Sequence, residues 1–288
     1  MAEETERAFH NTWLFKADDV LNRSPSRKQM TVPQILKVYE SIYDFLVRLA
    51  SVLKLDGRTI LAATIYIHRF YMRMPITTSK YFVACAAVAI SCKLHDTYRP
   101  PDKIALTGCQ IKHPGKHVDQ HSSTFWSWRD QLLYREEVML KNLNFEVSVD
   151  LPYEITEELL KKKPEDSKGN GFYEKLADIL KITTSKIELL SALPVLLVYD
   201  IFTLYGAMLV LTVNEAKEKF EELDAINLPK DFLQNEIGVS ADECFECYQF
   251  ILKLRTLCED PKLPSHRILV KKFTDIGKDV FYSITDGN

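Results

Sequence analysis

The run from Lys80 to Leu94, KYFVACAAVAISCKL, constrains this chain more than any other stretch. Its middle, ACAAVAISC, carries no charge and nothing bulkier than isoleucine. The run reads as a helix from about Thr78 to His95 that is apolar on every side. Such a helix has no face to offer solvent, so it must be buried centrally, and its small side chains let neighbouring helices approach closely. The rest of the chain therefore has to supply helices that surround it.

Candidates are plentiful, because only 9 glycines occur in 288 residues and helical spacing of apolar residues dominates. Thr31 is suited to cap a long amphipathic helix with Pro33 in its first turn and Ile35, Val38, Tyr39, Ile42, Phe45, Leu46, Leu49, Val52 and Leu53 on one face. Asp56 can cap the next, whose apolar positions Ile60, Leu61, Ala63, Thr64, Ile67, Phe70 and Tyr71 end before Pro75. Beyond the central helix, Pro100 and Pro101 act as a stop, a short helix covers 102–107, the loop KHPGKHVDQHSS follows, and a long helix covers 126–143. The extended segment NFEVSVDLP marks a boundary. Helices are then expected at 152–163, 172–189, 191–204, 206–223, 229–237 and 241–257, with the loop PEDSKGNG among them. The length suits two domains, and the pattern is all-α with five or so helices in each half.

Composition removes several function classes. A net charge of −3 and a pI near 6.2 argue against a chain whose main work is to grip nucleic-acid phosphates, and Lys161–Lys163 and Lys271–Lys272 read as solvated surface. The 6 cysteines lack the density of a secreted disulfide scaffold, which points to a reducing compartment, and no run is apolar enough to span a membrane. There is no phosphate-binding glycine loop, no HRD motif (His68-Arg69 is followed by Phe70), and no GxSxG or HExxH. Cys92-Lys93-Leu94-His95 and Cys244-Phe245-Glu246-Cys247 have ligand-like spacing, yet each lacks a second pair, and i,i+3 cysteines serve readily as small core residues. His113, His117 and His121 read as solvated. No catalytic residue, metal or cofactor is expected.

Four stretches carry a family resemblance. TIYIHRFYMR at 64–73, the CKL that closes the central helix with Asp96 just beyond, and REEVMLKNLNFEV at 135–147 resemble the first cyclin box. The lead-in Trp13-Leu14-Phe15 with Ser24-Pro25-Ser26-Arg27 resembles that of the transcriptional cyclins of the K and T type, and the pattern is most like the fungal branch that serves the kinase of the RNA polymerase II C-terminal repeat domain. LPYEI at 151–155 and DFLQNEIGVSADECFECYQFILKL at 231–254 resemble parts of the second box. Where the family usually follows its helix-3 lysine with valine and two glutamates, this chain has Leu94, His95 and Asp96. The second box also departs from the pattern at GAMLVLTVNEAKEKF.

The resemblance implies an N-terminal extension at 1–30, a first cyclin box at 31–147, a divergent second box at 148–257 and a C-terminal tail at 258–288. It implies that Lys93 and Glu136 form a pair on a kinase-binding surface, with Leu94 and Phe145 as apolar neighbours and Asp96 at the rim, while His68 and Arg69 are structural. The expected function is that of a regulatory subunit, not an enzyme. It would bind and activate a cyclin-dependent kinase acting on the polymerase repeat domain, promote elongation, and work in the nucleus and secondarily in the cytoplasm. A third regulatory subunit is a further expected partner; a membrane and direct nucleic-acid contact are not expected. Two rivals share the fold: a nucleic-acid binder in the manner of general transcription factor TFIIB, and a scaffold that binds no kinase.

Overall fold

The protein, in a computed structural model, is described over residues 12–77, 79–164, 171–219, 226–258 and 275–285. Residues 165–170 of the loop expected at PEDSKGNG, the Lys271–Lys272 pair, most of the tail and the first eleven residues lie outside these. Among the described residues the secondary structure is helical, and the helices are α1 (Val32–Leu53), α2 (Gly57–Tyr71), α3 (Lys80–Leu94), α4 (Pro101–Lys112), α5 (Ser123–Asn142), α6 (Pro152–Lys161), α7 (Gly171–Glu174), α8 (Leu176–Leu190), α9 (Ile201–Lys219), α10 (Ala241–Cys258) and α11 (Lys278–Thr285).

Polar residues set where these helices begin. Thr31 Oγ1 accepts from the Gln34 N–H while the Gln34 side chain accepts from the Thr31 N–H, a capping box that satisfies two donors with no partner inside the helix. Asp56 caps α2 through the Thr59 N–H at 2.8 Å, and Ser122 caps α5, which starts one turn before the expected Trp126.

α3 is the centre of the first half. Val83 to Cys92 are all buried, and α1, α2, α4 and α5 each pack against it. α2 is enclosed more completely than its sequence indicated: every residue from Thr59 to Tyr71 is buried, because the 3₁₀ turn Pro194–Leu197 of the second half covers the side that α3 leaves open. On α1, by contrast, Val52 was expected on the buried face and is exposed. α4 continues to Lys112, past the expected end at Thr107. Gly108 does not break it, because a side chain there has no room: a Cβ would lie 2.7 Å from Cys85 Sγ and 3.0 Å from Trp128 Cζ3. Closeness of α4 to α3 and α5 thus depends on a missing methyl group.

The second half departs from expectation at 191–204, at Gly206 and at 229–237. Residues 191–204 do not form a helix; the 3₁₀ turn Pro194–Leu197 comes first, and α9 starts only after Asp200, whose carboxylate accepts from the Thr203 N–H at 2.7 Å. α9 then runs unbroken through Gly206, where a Cβ would fall 2.6 Å from Cys244 Sγ. Glycine here permits the approach of α10 and is not a breaker. Between 229 and 237 only Leu233–Ile237 is helical, as a single π-helical turn closed by Gly238 at φ 80°. The described part of the tail packs: Phe281 is fully buried, the Ile276 N–H donates to Tyr248 Oη, and Asp275 pairs with Arg255.

The halves share one continuous apolar core. Tyr43 Oη donates to Glu188 O at 2.9 Å, Tyr153 Oη donates to the Glu188 carboxylate, Arg58 pairs with Glu154, and the Phe15 N–H donates to Leu197 O at 2.8 Å. Overpacking a dense core costs about 1–3 kcal/mol, more than the ~1 kcal/mol that alanine gains over glycine inside a helix. Gly108→Ala is therefore expected to lower the urea midpoint of unfolding; an unchanged or higher midpoint would mean that Cys85 and Trp128 yield freely.

Candidate functional site

Two helix ends build the site, and both close in the same way. At the end of α3 the Thr97 N–H reaches back to Cys92 O at 3.2 Å, with Asp96 between them at φ 52°. At the end of α5 the Phe145 N–H reaches back to Leu140 O at 2.9 Å, with Asn144 at φ 53°. This is the left-handed cap with a six-to-one hydrogen bond, and Asp and Asn are the side chains that enter it most readily after glycine. The α3 end is further fastened from behind. Ser91 Oγ donates to Thr59 O at 2.7 Å, and Arg99 donates to the carbonyls of Leu53, Lys54, Thr97 and Tyr98.

α3 and α5 form the most extensive helix pair among the described elements, and across it Lys93 Nζ meets Glu136 Oε1. The carboxylate is set into the surface, its side chain 12% exposed, whereas Lys93 is 47% exposed. Leu94 lies exposed beside Lys93, and on α5 Leu133 and Tyr134 are exposed a turn before Glu136. Leu133, Glu136 and Leu140 follow one another at three- and four-residue steps, so they share a face. Phe145, beyond the α5 cap, is 66% exposed and therefore not a core residue. Asp96 faces solvent. An ion pair on a face that also exposes Leu94 and Leu133 is the pattern of a surface suited to a partner. Glu137, next to Glu136, pairs with Lys141 on its own helix.

His68 and Arg69 lie beneath this surface. His68 is buried with its ring edge-on to Tyr39 at 4.6 Å, and burial pushes its pKa down to about 3. Arg69 is buried with its guanidinium 5.5 Å from the Trp13 ring centroid; burial lowers its pKa, opposed by the nearby Tyr66, Glu146 and Asp150. His95, where relatives carry an acid, has its Nε2 enclosed without a hydrogen-bond partner. Burial lowers its pKa, and Asp56, Glu154 and Asp96 only partly oppose this, so the ring is neutral at pH 7. The thiols of Cys92, Cys244 and Cys247 are buried, and burial pushes each up. They pack as small core residues. His113 is not simply solvated: its ring sits edge-on to Trp128 at 6.3 Å.

Residues 13–148, just under half of the chain, match the family model for the cyclin N-terminal domain. That stretch is a cyclin N-terminal domain. It is 32% identical over 129 residues to cyclin pch1 of Schizosaccharomyces pombe, covering 44% of this chain and 38% of that protein. It is 26% identical over 153 residues to cyclin-T1 of Mus musculus, covering 52% of this chain and 21% of that one. Cyclin-T2 of Homo sapiens is 22% identical over 149 residues, 51% of this chain and 20% of that protein. The chain thus matches well under half the length of these curated relatives. A chain of the yeast RNA Pol II CTD kinase CTDK-1 complex shares its fold, with a TM-score of 0.63 at 15% identity over 94% of this chain and 81% of that one.

The structure brings Lys93, Leu94 and Glu136 together and sets Phe145 beyond the end of the same helix as Glu136. Sequence reading missed exposed Leu133, although its three-residue spacing from Glu136 would have found it. It also missed what Trp13 does. The Trp13 indole Nε1–H donates to Glu146 Oε2 at 2.8 Å and Thr12 Oγ1 donates to the same oxygen at 2.8 Å, which fastens the N-terminal segment to the turn after α5. A tryptophan in a lead-in gives no sign in sequence of a partner more than a hundred residues away.

His68 makes stability depend on pH. Its ordinary value is 6.5 and its folded value about 3, so below pH 6.5 the unfolded chain takes up a proton that the native one refuses. More protons bound in the unfolded state mean that stability falls as pH falls, across the window from 6.5 toward 3, by up to ~1.4 kcal/mol per pH unit. Urea midpoints at pH 7, 6 and 5 are expected to fall less steeply for His68→Phe than for the unaltered chain; parallel slopes would show that His68 is not the group responsible.

Proposed function

We propose that this chain is the regulatory subunit of a cyclin-dependent kinase that phosphorylates the C-terminal repeat domain of RNA polymerase II and so promotes transcription elongation. The observation that carries the reading is the Lys93–Glu136 pair across α3 and α5, with exposed Leu94 and Leu133 on the same two helices and exposed Phe145 just beyond α5. The specific target is supported by relatives named as cyclins T and by the fold shared with a chain of a CTD kinase complex. On this reading 31–147 is the first cyclin box, 148–257 a divergent second box that can receive a third subunit, and the nucleus is the place of work.

Kinase catalysis requires the lysine of a strand to pair with a glutamate on the kinase's C helix, and the helix has to be held inward for that. Lys93 and Glu136, oriented by each other, offer charged hydrogen bonds to backbone carbonyls and amides of that helix and its loop. Leu94 and Phe145 offer apolar contact, with Asp96 at the rim. A surface that fits the inward arrangement better than the outward one shifts the kinase toward its active form by the difference in affinity.

The magnitudes separate this role from a structural one. A partly exposed ion pair contributes under about 1 kcal/mol to the fold, but breaking a pair desolvated at an interface costs roughly 2–5 kcal/mol, at least about 30-fold in affinity. The test is purification of the tagged full-length chain from its own cells, identification of the kinase that accompanies it, and assay on a heptad-repeat peptide. Lys93→Ala is expected to melt within a few degrees of the unaltered chain yet to lose the kinase. Recovery of no kinase, or undiminished recovery with Lys93→Ala, overturns the reading.

A further inference from the structure

Phe145 is exposed, yet its backbone is not free. Its φ is 59°, directly after Asn144 at 53°, so two consecutive non-glycine residues are left-handed. Asn tolerates this region; a bulky aromatic residue there is an outlier that persists only where its surroundings enforce it. The enforcing contacts can be named. On one side Arg73 donates to Asn144 Oδ1 at 2.9 Å, and on the other Tyr66 Oη donates to Val147 O at 2.6 Å. Between them Glu146 accepts from both Thr12 Oγ1 and the Trp13 indole N–H. The Trp13 ring is buried, and the Arg73 guanidinium stands 4.6 Å from its centroid, so one arginine braces both the turn and the residue that latches it. Hydrogen bonds from Thr12 and Trp13 hold the Glu146 carboxyl below its usual range, which leaves the acceptor charged at neutral pH.

We propose that Thr12 and Trp13 are positioning residues: by holding Glu146 they keep the strained Asn144–Phe145 turn in place and aim Phe145 out of the α5 end toward the partner kinase. The proposal rests on the kinase-binding reading above. The N-terminal segment then tunes affinity through Phe145, by preparing beforehand a conformation that the turn would otherwise leave. Arg73 and Tyr66 steady the turn from the side of α2, and Glu146 is the grip through which the segment acts.

The test uses the full-length chain and has two readouts. The first is hydrogen exchange at the Phe145 and Glu146 amides, which bond to Leu140 O and Leu143 O. Glu146→Ala and Trp13→Phe are each expected to speed it about tenfold or more relative to the amides of α3, and Glu146→Gln, which keeps an acceptor oxygen, to restore it. The second is affinity for the kinase recovered above, prepared as a pure protein. Glu146→Ala is expected to weaken binding by about fivefold or more, but by less than about twofold when Phe145 is already alanine, because residues acting through one another are not additive. Unchanged exchange overturns the latch itself. An equal loss in both backgrounds overturns its action through Phe145. Undiminished binding by Lys93→Ala instead overturns the kinase reading, while exchange still decides whether the latch holds the turn.

Discussion

A helix without a polar face must be enclosed, and the burial of α3 sets the terms for the rest of this protein. Alanines along its length let α2 and α5 approach at short range, and Gly108 does the same for α4. Because α5 is drawn so close, the end of α3 stands beside the middle of α5, and Lys93 meets Glu136 without either side chain having to reach far. The candidate site is therefore a by-product of core packing. Its charges contribute little to stability, while the apolar contacts below them hold the geometry.

Much of the architecture was legible because local chemistry and burial agreed. Thr31, Asp56 and the Pro100–Pro101 pair announced helix limits that the structure keeps, and the small-residue run announced the central helix. Misreadings arose where tertiary contact reversed a local signal. Gly108 and Gly206 look like breakers in sequence but are close-approach residues in space, which only the positions of Cys85, Trp128 and Cys244 reveal. His68 and Arg69 on α2 are expected to be structural, and what they pack against, Tyr39 and Trp13, shows only in space.

The site was legible in part for the same reason. Lys93 and Glu136 are 43 residues apart, and nothing in their spacing joins them; the family pattern suggested the pair, and helix packing makes the contact. What escaped was every feature that depends on backbone conformation or on long-range partners. The left-handed turn at Asn144 and Phe145 lies within NFE, which reads simply as extended chain, and its hold on Thr12 and Trp13 spans the whole first half. His95 is half-buried, and burial lowers its pKa, which its sequence position does not reveal.

The enclosure of α2 carries one more consequence. Similarity to the cyclin N-terminal domain stops at residue 148, but the core does not. Residues 194–197 roof α2, Glu188 binds tyrosines from α1 and α6, and Phe15 hangs on Leu197. The matched stretch thus shares its core with residues it does not include, and a side chain changed at 194–197 or at Glu188 would be felt by helices on the other side of residue 148.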